Sequence, residues 1–318
     1  MKLQEMLDLA IEMGRKCDLR GEYLDQLMEN KLQEYESMSA EKKVDFDREC
    51  LENPFNDTRI LVGTGEEEIR HVLCGIDMET PELLLADRLR QKGNMIDLII
   101  AHHPEGVARA DLHQVMDMQA DLLAQHGVPI NIAEAIMTSR ISEVERGLLP
   151  LNHQRTIDAA RLLDMPFMCV HTPADNLVND FLQKMFALRE DKTLNLGNIL
   201  DMFQEIPEYA EAKKIKVGPK IIVGDAKKRA GKIFIKMTGG TTGSEKAYEN
   251  LARAGVGTII GMHMQEKHRQ AAQENNINVI IAGHMASDSL GLNLYLDELE
   301  KRGIEITPCA GLIRVKRF

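Results

Sequence analysis

Histidine side chains follow the carboxyl ends of four predicted β-strands, and an acidic side chain lies four positions after two of these histidines. The residues concerned are His102, His103, His171, Asp175, His263, His284 and Asp288. Because the carboxyl ends of parallel strands meet at one edge of an open sheet, we expect these side chains to lie close together. Imidazole and carboxylate groups are typical ligands of divalent first-row metals, and no cysteine stands at these positions. The pattern therefore predicts a metal site rather than polar groups that are simply solvated.

The spacing of two His and Asp pairs adds detail. His284 and Asp288 are four residues apart, and they share one face if the following helix begins early enough to include both. His171 and Asp175 have the same spacing, but the intervening Pro173 predicts a turn. One pair is thus expected to reach an ion from a helix and the other from a loop.

The neighbouring residues His102 and His103 point to opposite sides in extended backbone. Either Pro104 helps to bend the chain so that both side chains converge, or the two histidines serve two metal ions. Two ions roughly 3.5 to 4 Å apart, with a bridging carboxylate and water, suit the second alternative. The sequence leaves both alternatives open.

From residue 69 onward, short apolar runs alternate with helical stretches, which is typical of βαβ units in a mainly parallel sheet. The predicted strands are residues 69–76, 95–101, 166–170, 220–223, 232–237, 257–260 and 278–282. The last helix is predicted from about Ser287 to Arg302, because its leucines share one face and Gly303 ends it. The C-terminal segments GIEITP and GLIRVKRF are predicted to form one or two edge strands.

Three other regions are predicted to be helical. They are residues 1 to about 50, residues 110–165 and residues 177–215. The first region has an amphipathic pattern and is interpreted as a packing or assembly appendage with a solvated outer face. The other two are expected to cover the sheet or to form a lid over its edge.

The composition excludes several function classes. The 318 residues include 39 Lys plus Arg and 50 Asp plus Glu, and the net charge of −11 argues against nucleic acid or an anionic membrane as the main partner. With no Trp, five Tyr and eight Phe, few rings are available to stack on bases. Five cysteines without a CxxC pair, no signal-peptide pattern and no transmembrane-length apolar run predict a cytoplasmic protein.

Two features favour an anionic substrate. Gly239, Gly240 and Thr241 open a loop between a predicted strand and a predicted helix, where backbone amides could hold a phosphate. A tight turn with Thr242 and Glu245 as a capping box explains the same loop. Eight Lys and Arg residues with one acid, between positions 213 and 232, give a local net charge of +7. This basic cluster would attract a nucleotide or phosphorylated substrate, or it forms a solvated face.

At the histidines and acids that follow the predicted strands, the sequence resembles the NIF-three-like family. These are the NGG-one-interacting-factor-like proteins, often labelled GTP cyclohydrolase I type 2. The resemblance rests on four motifs in matching order over roughly residues 69 to 318. They are Ile76-Asp77 with Pro81-Glu82, the segment IIAHHP ending at Pro104, the segment HTPAD from His171 to Asp175, and Gly283-His284 with an acid four residues on. Gly239, Gly240 and His268 fit weaker family positions.

The resemblance implies a pair of α/β halves with a dinuclear metal site in the cleft between them, and a homo-oligomer in the form of a hexameric ring. The implied metal ligands are His102, His103, Asp175, His284 and Asp288, with His171 beside the metals and His268 lining the cleft. The family usually has Glu where Asp288 stands, so this carboxylate is one methylene shorter. The two implied divalent ions could be Zn, Fe, Mn, Co or Ni, since His and carboxylate ligands accept them all.

We therefore predict an α/β fold of two halves, with mainly parallel or mixed sheets covered by helices and a metal cleft between the halves. The predicted domains are an N-terminal helical extension (1–55), a first half (56–190) carrying His102, His103, His171 and Asp175, and a second half (191–318) carrying His284 and Asp288.

The predicted function is hydrolysis of a nucleotide or other phosphorylated small molecule by metal-activated water. His171 is the predicted proton shuttle. The predicted substrate-binding residues are Gly239, Gly240, Thr241, His263 and His268. The alternative is a non-catalytic, metal-binding oligomeric scaffold or regulatory protein. Cyclohydrolase activity is implied by the family label alone, and the scarcity of aromatic side chains argues against a purine-stacking site.

Overall fold

A computed structural model describes residues 1–188 and 193–318 of the chain. Within these residues the chain forms two β-sheets covered by helices, so the predicted mixed α/β fold is confirmed. The predicted boundary between the two halves, at residues 190 and 191, lies outside the described residues. The remaining domain boundaries stay predictions.

The two sheets contain five and four strands. In chain order the described strands are β1 (Arg59–Val62), β2 (His71–Gly75), β3 (Leu98–Ala101), β4 (Phe167–Cys169), β5 (Lys220–Val223), β6 (Lys232–Lys236), β7 (Val256–Gly261), β8 (Asn278–Ile281) and β9 (Glu305–Cys309). The strand orders are β1-β4-β3-β2-β9 and β5-β8-β7-β6. Strands β1 and β5 are antiparallel to their neighbours, and all other pairs are parallel. Each sheet therefore presents most of its carboxyl ends at one edge.

Helices connect and cover these strands. In the described part of the chain they are α1 (Leu3–Lys16), α2 (Glu22–Ser37), α3 (Ala40–Val44), α4 (Thr80–Gln91), α5 (Gly106–Ala110), α6 (Met118–Gln125), α7 (Ile130–Leu148), α8 (Arg155–Leu162), α9 (Thr172–Ala187), α10 (Leu196–Gln204), α11 (Pro207–Lys214), α12 (Ala247–Arg253), α13 (Glu266–Glu274) and α14 (His284–Lys301). Two short 3-10 segments cover Arg48–Leu51 and Leu112–Asp117. None of the described helices has the length and apolar character needed to cross a membrane.

The first N-terminal helix belongs to a hydrophobic core. Leu3, Met6 and Leu7 of α1 are buried in the same cluster as Val72 of β2 and Tyr295 of α14. The Tyr295 hydroxyl donates to the Met6 carbonyl over 2.9 Å. Helix α1 thus helps to fix α14, whose first two turns carry the predicted ligands His284 and Asp288.

Helices α9 and α14 pack unusually closely at Gly291. A Cβ built on this glycine would lie 2.8 Å from the carbonyl carbon of Ala174, and closer still to its oxygen. The backbone of α9 therefore occupies the space that any larger residue would need. This contact holds together the two helices that carry Asp175 and Asp288.

The C-terminal segments form one edge strand, where one or two were predicted. Residues 305–309 form edge strand β9, but GLIRVKRF forms no strand. The backbone of Ile313 in this segment instead bonds to side chains of α14. Its amide donates to the Ser289 hydroxyl, and its carbonyl accepts from the Asn293 side chain. Arg314 and Arg317 form ion pairs with acids that include Asp297 and Glu208, respectively, and side-chain bonding replaces a strand ladder.

Candidate metal centre

Three of the predicted histidines lie just beyond the carboxyl ends of strands. His102 and His103 follow β3, and their amides donate to the carbonyls of Gly75 and Ile76 at the end of β2. One residue, Val170, separates His171 from β4, and α9 begins directly after His171. Parallel pairing of β2, β3 and β4 therefore brings these imidazoles to one edge, as the strand pattern predicts.

Two helix starts place the carboxylates. Helix α14 begins at His284, so Asp288 lies one turn later on the same face, in agreement with the prediction. The turn predicted around Pro173 is wrong, because α9 already begins at Thr172. Proline is tolerated in the first turn of a helix, where its missing N–H group would have no partner. Asp175 is therefore held by a helix.

Asp288 lies between three imidazoles. Its Oδ1 is 3.6 Å from His102 Nε2, and its Oδ2 is 3.4 Å from His103 Nε2 and 3.5 Å from His284 Nε2. The adjacent histidines 102 and 103 therefore converge on one carboxylate, but on different oxygens. The convergence agrees with the first alternative that the sequence leaves open, and the second, that the two histidines serve two ions, stays a prediction.

Asp175 completes the group on the other side of His102. Its Oδ1 lies 3.5 Å from His102 Nε2, and its Oδ2 lies 3.9 Å from His171 Nε2. All three side chains are buried. The structure thus brings all five predicted ligands, together with His171, into one cluster.

Hydrogen bonds to Nδ1 orient two of these imidazoles. His102 Nδ1 lies 3.0 Å from the Val170 carbonyl, which only accepts, so Nδ1 carries the proton. His103 Nδ1 lies 2.7 Å from Asp77 Oδ1. Both rings consequently turn Nε2 towards the acids, which is the usual arrangement of metal-binding histidines and their outer partners.

His171 has a buried carboxylate partner that the sequence analysis missed. Its Nδ1 lies 2.7 Å from Oδ2 of Asp57, which also accepts from the Thr172 hydroxyl over 2.6 Å. Burial alone would raise the pKa of Asp57, but the hydrogen bond and charge of His171 hold it below its usual value. Asp57 precedes β1, a strand that was not predicted, and the turn-type segment Asn56-Asp57-Thr58 ahead of an apolar run was the available signal.

The cluster contains buried polar atoms that lack partners among the described residues. They are His102 Nε2, Asp175 Oδ1 and both carboxylate oxygens of Asp288. Each such atom costs about 1–3 kcal/mol if left unsatisfied. Imidazole nitrogens and carboxylate oxygens are ligands of divalent metals, so the donor set fits a metal ion.

The charges in the cluster lead to the same conclusion. Burial opposes a charged imidazole, yet the carboxylates of Asp288 and Asp175 raise the pKa of His102 to about 10. Burial alone would raise the pKa of Asp288, but His102 and His103 lower it well below its ordinary value. The buried acids therefore attract a positive charge, which a proton supplies in the ion-free protein and a metal ion can replace.

Two groups of donor atoms are close enough together to share a metal ion, since the atoms of each group lie within 4.8 Å of one another. One consists of His102, His103 and Asp288, and the other of His102, His171 and Asp175. These buried His and Asp groups could therefore bind a metal ion. His284 belongs to neither group, although its Nε2 is close to Asp288.

The cluster opens into a pocket of about 700 Å³, a volume that includes its mouth. His171, Asp175, His284 and Asp288 form one part of its wall. Other lining residues include the predicted Gly240, Thr241, His263 and His268, and also Lys236 and Tyr248, which were not predicted. The predicted Gly239 does not line the pocket. His263 is exposed with its ring 4.8 Å from that of His284, whereas His268 is buried. A small molecule in this pocket would contact the cluster directly.

The glycine loop has a different structure from the predicted capping box. Gly239 and Gly240 have φ of 102° and 77°, and Gln119 Nε2 donates to the carbonyls of Gly239 and Thr241. Helix α12 begins only at Ala247 and has no side-chain cap, so a capping box at Thr242 and Glu245 is wrong. Gln119 instead fixes the loop from α6. Phosphate binding by the loop amides stays a prediction.

The basic cluster lies outside the pocket. Its eight side chains are exposed, and none of them lines the described pocket wall. Lys214 pairs with Glu211, and Lys232 donates to the His126 carbonyl. Contact between this cluster and a bound substrate therefore has no structural support, and long-range attraction stays a prediction.

The fold and the site together define a class: a mixed α/β protein with a buried His and Asp cluster at the edge of its sheets. The sequence model of the Duf34/NIF3 (NGG1p interacting factor 3) family matches residues 150–309, which is half of the chain. The chain belongs to the Duf34/NIF3 family, and the resemblance inferred from the four motifs is confirmed.

One solved structure shows the same fold, and others match with lower scores. The chain is similar to a NIF3 superfamily protein from Sphaerobacter thermophilus, with 28% identity, a TM-score of 0.72, and coverage of 97% of this chain and 98% of the other. Reduced HcgD from Methanocaldococcus jannaschii has 14% identity and a TM-score of 0.47, with 85% and 97% covered. A Bacillus cereus protein related to NIF3 has 13% identity and a TM-score of 0.46, with 100% and 98% covered. No curated protein sequence matches the chain.

The bond between Asp77 and His103 provides a test of the outer partners. Replacing Asp77 with Asn removes the charge that orients the ring of His103, a predicted metal ligand. We expect metal affinity to fall about 10–100-fold, measured by competition with a chromogenic chelator. Asp57→Asn is the matched comparison, because Asp57 orients His171, which is predicted beside the metals and not among their ligands, and a smaller loss of metal affinity is expected. Equal metal affinity in wild type and Asp77→Asn would contradict this role for Asp77.

Proposed function

We propose that this protein is a dinuclear, metal-dependent hydrolase of phosphorylated small molecules. The observation that carries the proposal is the buried Asp288 carboxylate, whose two unpartnered oxygens face different imidazoles. The alternative is a metal-binding scaffold without catalysis. Such a scaffold would not require a pocket beside the cluster, so the pocket favours the hydrolase.

Two ions are favoured over one by the donor count. His102 Nδ1 is bound to the Val170 carbonyl, so His102 offers only Nε2 and can ligate one ion. Asp288 offers two oxygens and can bridge. On this basis His103, His284 and Oδ2 of Asp288 would hold one ion, and His102, Asp175 and Oδ1 of Asp288 the other.

The chemistry would be divided between the ions and the protein. Two bound divalent ions would supply Lewis acidity and bring the pKa of a coordinated water close to neutrality. His171 would accept and return the proton at Nε2, since its bond to Asp57 through Nδ1 holds the ring in place. The buried surroundings of Asp175 and Asp288 would exclude bulk water and strengthen the electrostatic attraction between these carboxylates and the ions. Association into a homo-oligomer, a hexamer by the family resemblance, is proposed from that resemblance alone.

The test is a turnover screen with protein loaded with Mn, Zn or Fe. We expect hydrolysis of at least one phosphomonoester or nucleotide above the rate of the same concentration of free metal. His171→Gln should then lower turnover about 10²–10⁴-fold, the usual contribution of a general acid or base. His153→Gln is the matched control, since His153 lies outside the pocket and bonds to the Leu148 carbonyl. Absence of turnover on every substrate, with metal bound, would favour the scaffold.

A further inference from the structure

Lys236 is a half-buried cation that the proposed hydrolysis does not use. It is the last residue of β6 and pairs in register with Gly261 of β7, so its side chain projects from the sheet edge that carries the site. The amine lies beside the glycine loop, 2.9 Å from the position that a Cβ would take on Gly243. Lys236 also lines the pocket that Asp288 lines.

No described carboxylate lies within ion-pair distance of this amine; the salt bridges of its neighbours are made without it. Arg140 adds a second positive charge, held nearby by donation from its Nε to the Thr242 carbonyl over 2.9 Å. Burial, with help from Arg140, lowers the pKa of Lys236 to about 8. An amine with this pKa is still mostly protonated at neutral pH, so it remains a cation that lacks a counter-ion.

His268 provides a second, independent indication of a ligand-binding site. Its side chain is only 4% exposed, its Nε2 has no hydrogen-bond partner among the described residues, and it lines the same pocket wall as Lys236. Tyr248 packs edge-on against the imidazole, with ring centres 5.7 Å apart, and fixes its plane. Burial and the charge of Lys236 lower the pKa of His268 to about 4, so the ring is neutral and carries a single N–H.

We propose that Lys236 and His268 form a phosphate-binding subsite in the pocket, which holds the phosphoryl group of the substrate. An ammonium group offers three donors and a point charge, and a neutral imidazole adds a fourth donor, which matches the several acceptor oxygens of a phosphoryl dianion. A bound phosphoryl group would supply the counter-ion that Lys236 lacks. This inference rests on the proposed function for the identity of the ligand, but binding can be measured without turnover.

The test is calorimetric titration of inorganic phosphate into wild type, Lys236→Met and Lys267→Met, each with and without bound metal. We expect Lys236→Met to bind phosphate about tenfold more weakly or worse, with metal content unchanged. Lys267→Met is the matched control, because Lys267 is an exposed lysine nearby that pairs with Glu245, and it should change affinity less than about twofold. His268→Gln should also weaken binding, and it serves as the test variant if Lys236→Met does not fold.

Each outcome is decisive. Equal phosphate affinity in wild type and Lys236→Met, with His268→Gln also unchanged, would mean that phosphate binds only to the metals, and it would overturn the subsite. Absence of phosphate binding to wild type would overturn it as well. A Lys236-dependent affinity in a protein without turnover would support the subsite while the hydrolase proposal fails, so the two failures are distinguishable.

Discussion

Asp288→Asn is expected to lower metal affinity by more than about a hundredfold, beyond the 10–100-fold loss that follows removal of an outer partner of a ligand. The expectation follows from the position of this carboxylate, whose two oxygens face His102 on one side and His103 and His284 on the other. The amide keeps the shape but replaces one charged oxygen with an NH₂ group, which cannot ligate. Metal content after dialysis, measured by plasma mass spectrometry, gives the result, and any turnover should fall with it.

The matched control is Asp201→Asn, the same substitution at an exposed position of α10. It should retain the full metal content of wild type. If Asp288→Asn retains its ions as well, the carboxylate is not a bridging ligand and the two-ion proposal fails.

Gly291→Ala has the second large expected effect. The added methyl group would collide with the backbone of Ala174, and α9 and α14 would have to separate. We expect a loss of about 3 kcal/mol in the free energy of unfolding, at the upper end of overpacking effects because backbone atoms cannot rotate away. Metal affinity should fall together with stability, since the two helices carry Asp175 and Asp288. Urea denaturation followed by circular dichroism measures the change.

Gly147→Ala is the control for this substitution. Gly147 lies in α7, is exposed, and a Cβ there would meet no atom within 4 Å. The exchange should leave stability unchanged or raise it by up to about 1 kcal/mol. Equal stability of Gly291→Ala and wild type would show that the helices can separate without cost.

The ligand cluster could be predicted because strand ends and residue type are both local properties of the sequence. Each histidine was found from the apolar run before it, and parallel pairing then requires the ends of those runs to meet. The error at Pro173 arose from treating proline as a helix breaker, although it is well tolerated in a first turn.

The missed residues depend on contacts that no local pattern encodes. Asp57 reaches His171 because β1 pairs antiparallel with β4, across more than a hundred positions. Lys236 lies near the end of a predicted strand, where a lysine is usually solvated, and only the packing around β6 shows that it lacks a carboxylate partner among the described residues. Gly291 is one glycine in a helix, and its importance depends on the neighbouring helix α9.

The candidate ligands extend from His102 to Asp288 along the chain and converge only when both sheets and the contact between α9 and α14 have formed. The unfolded chain has no comparable set of donors, so an ion that binds here binds the native state alone. Its stabilisation then increases with the logarithm of the free metal concentration. The supply of metal would thereby set how long each molecule stays folded, and metal starvation would shorten its lifetime as well as stop its chemistry.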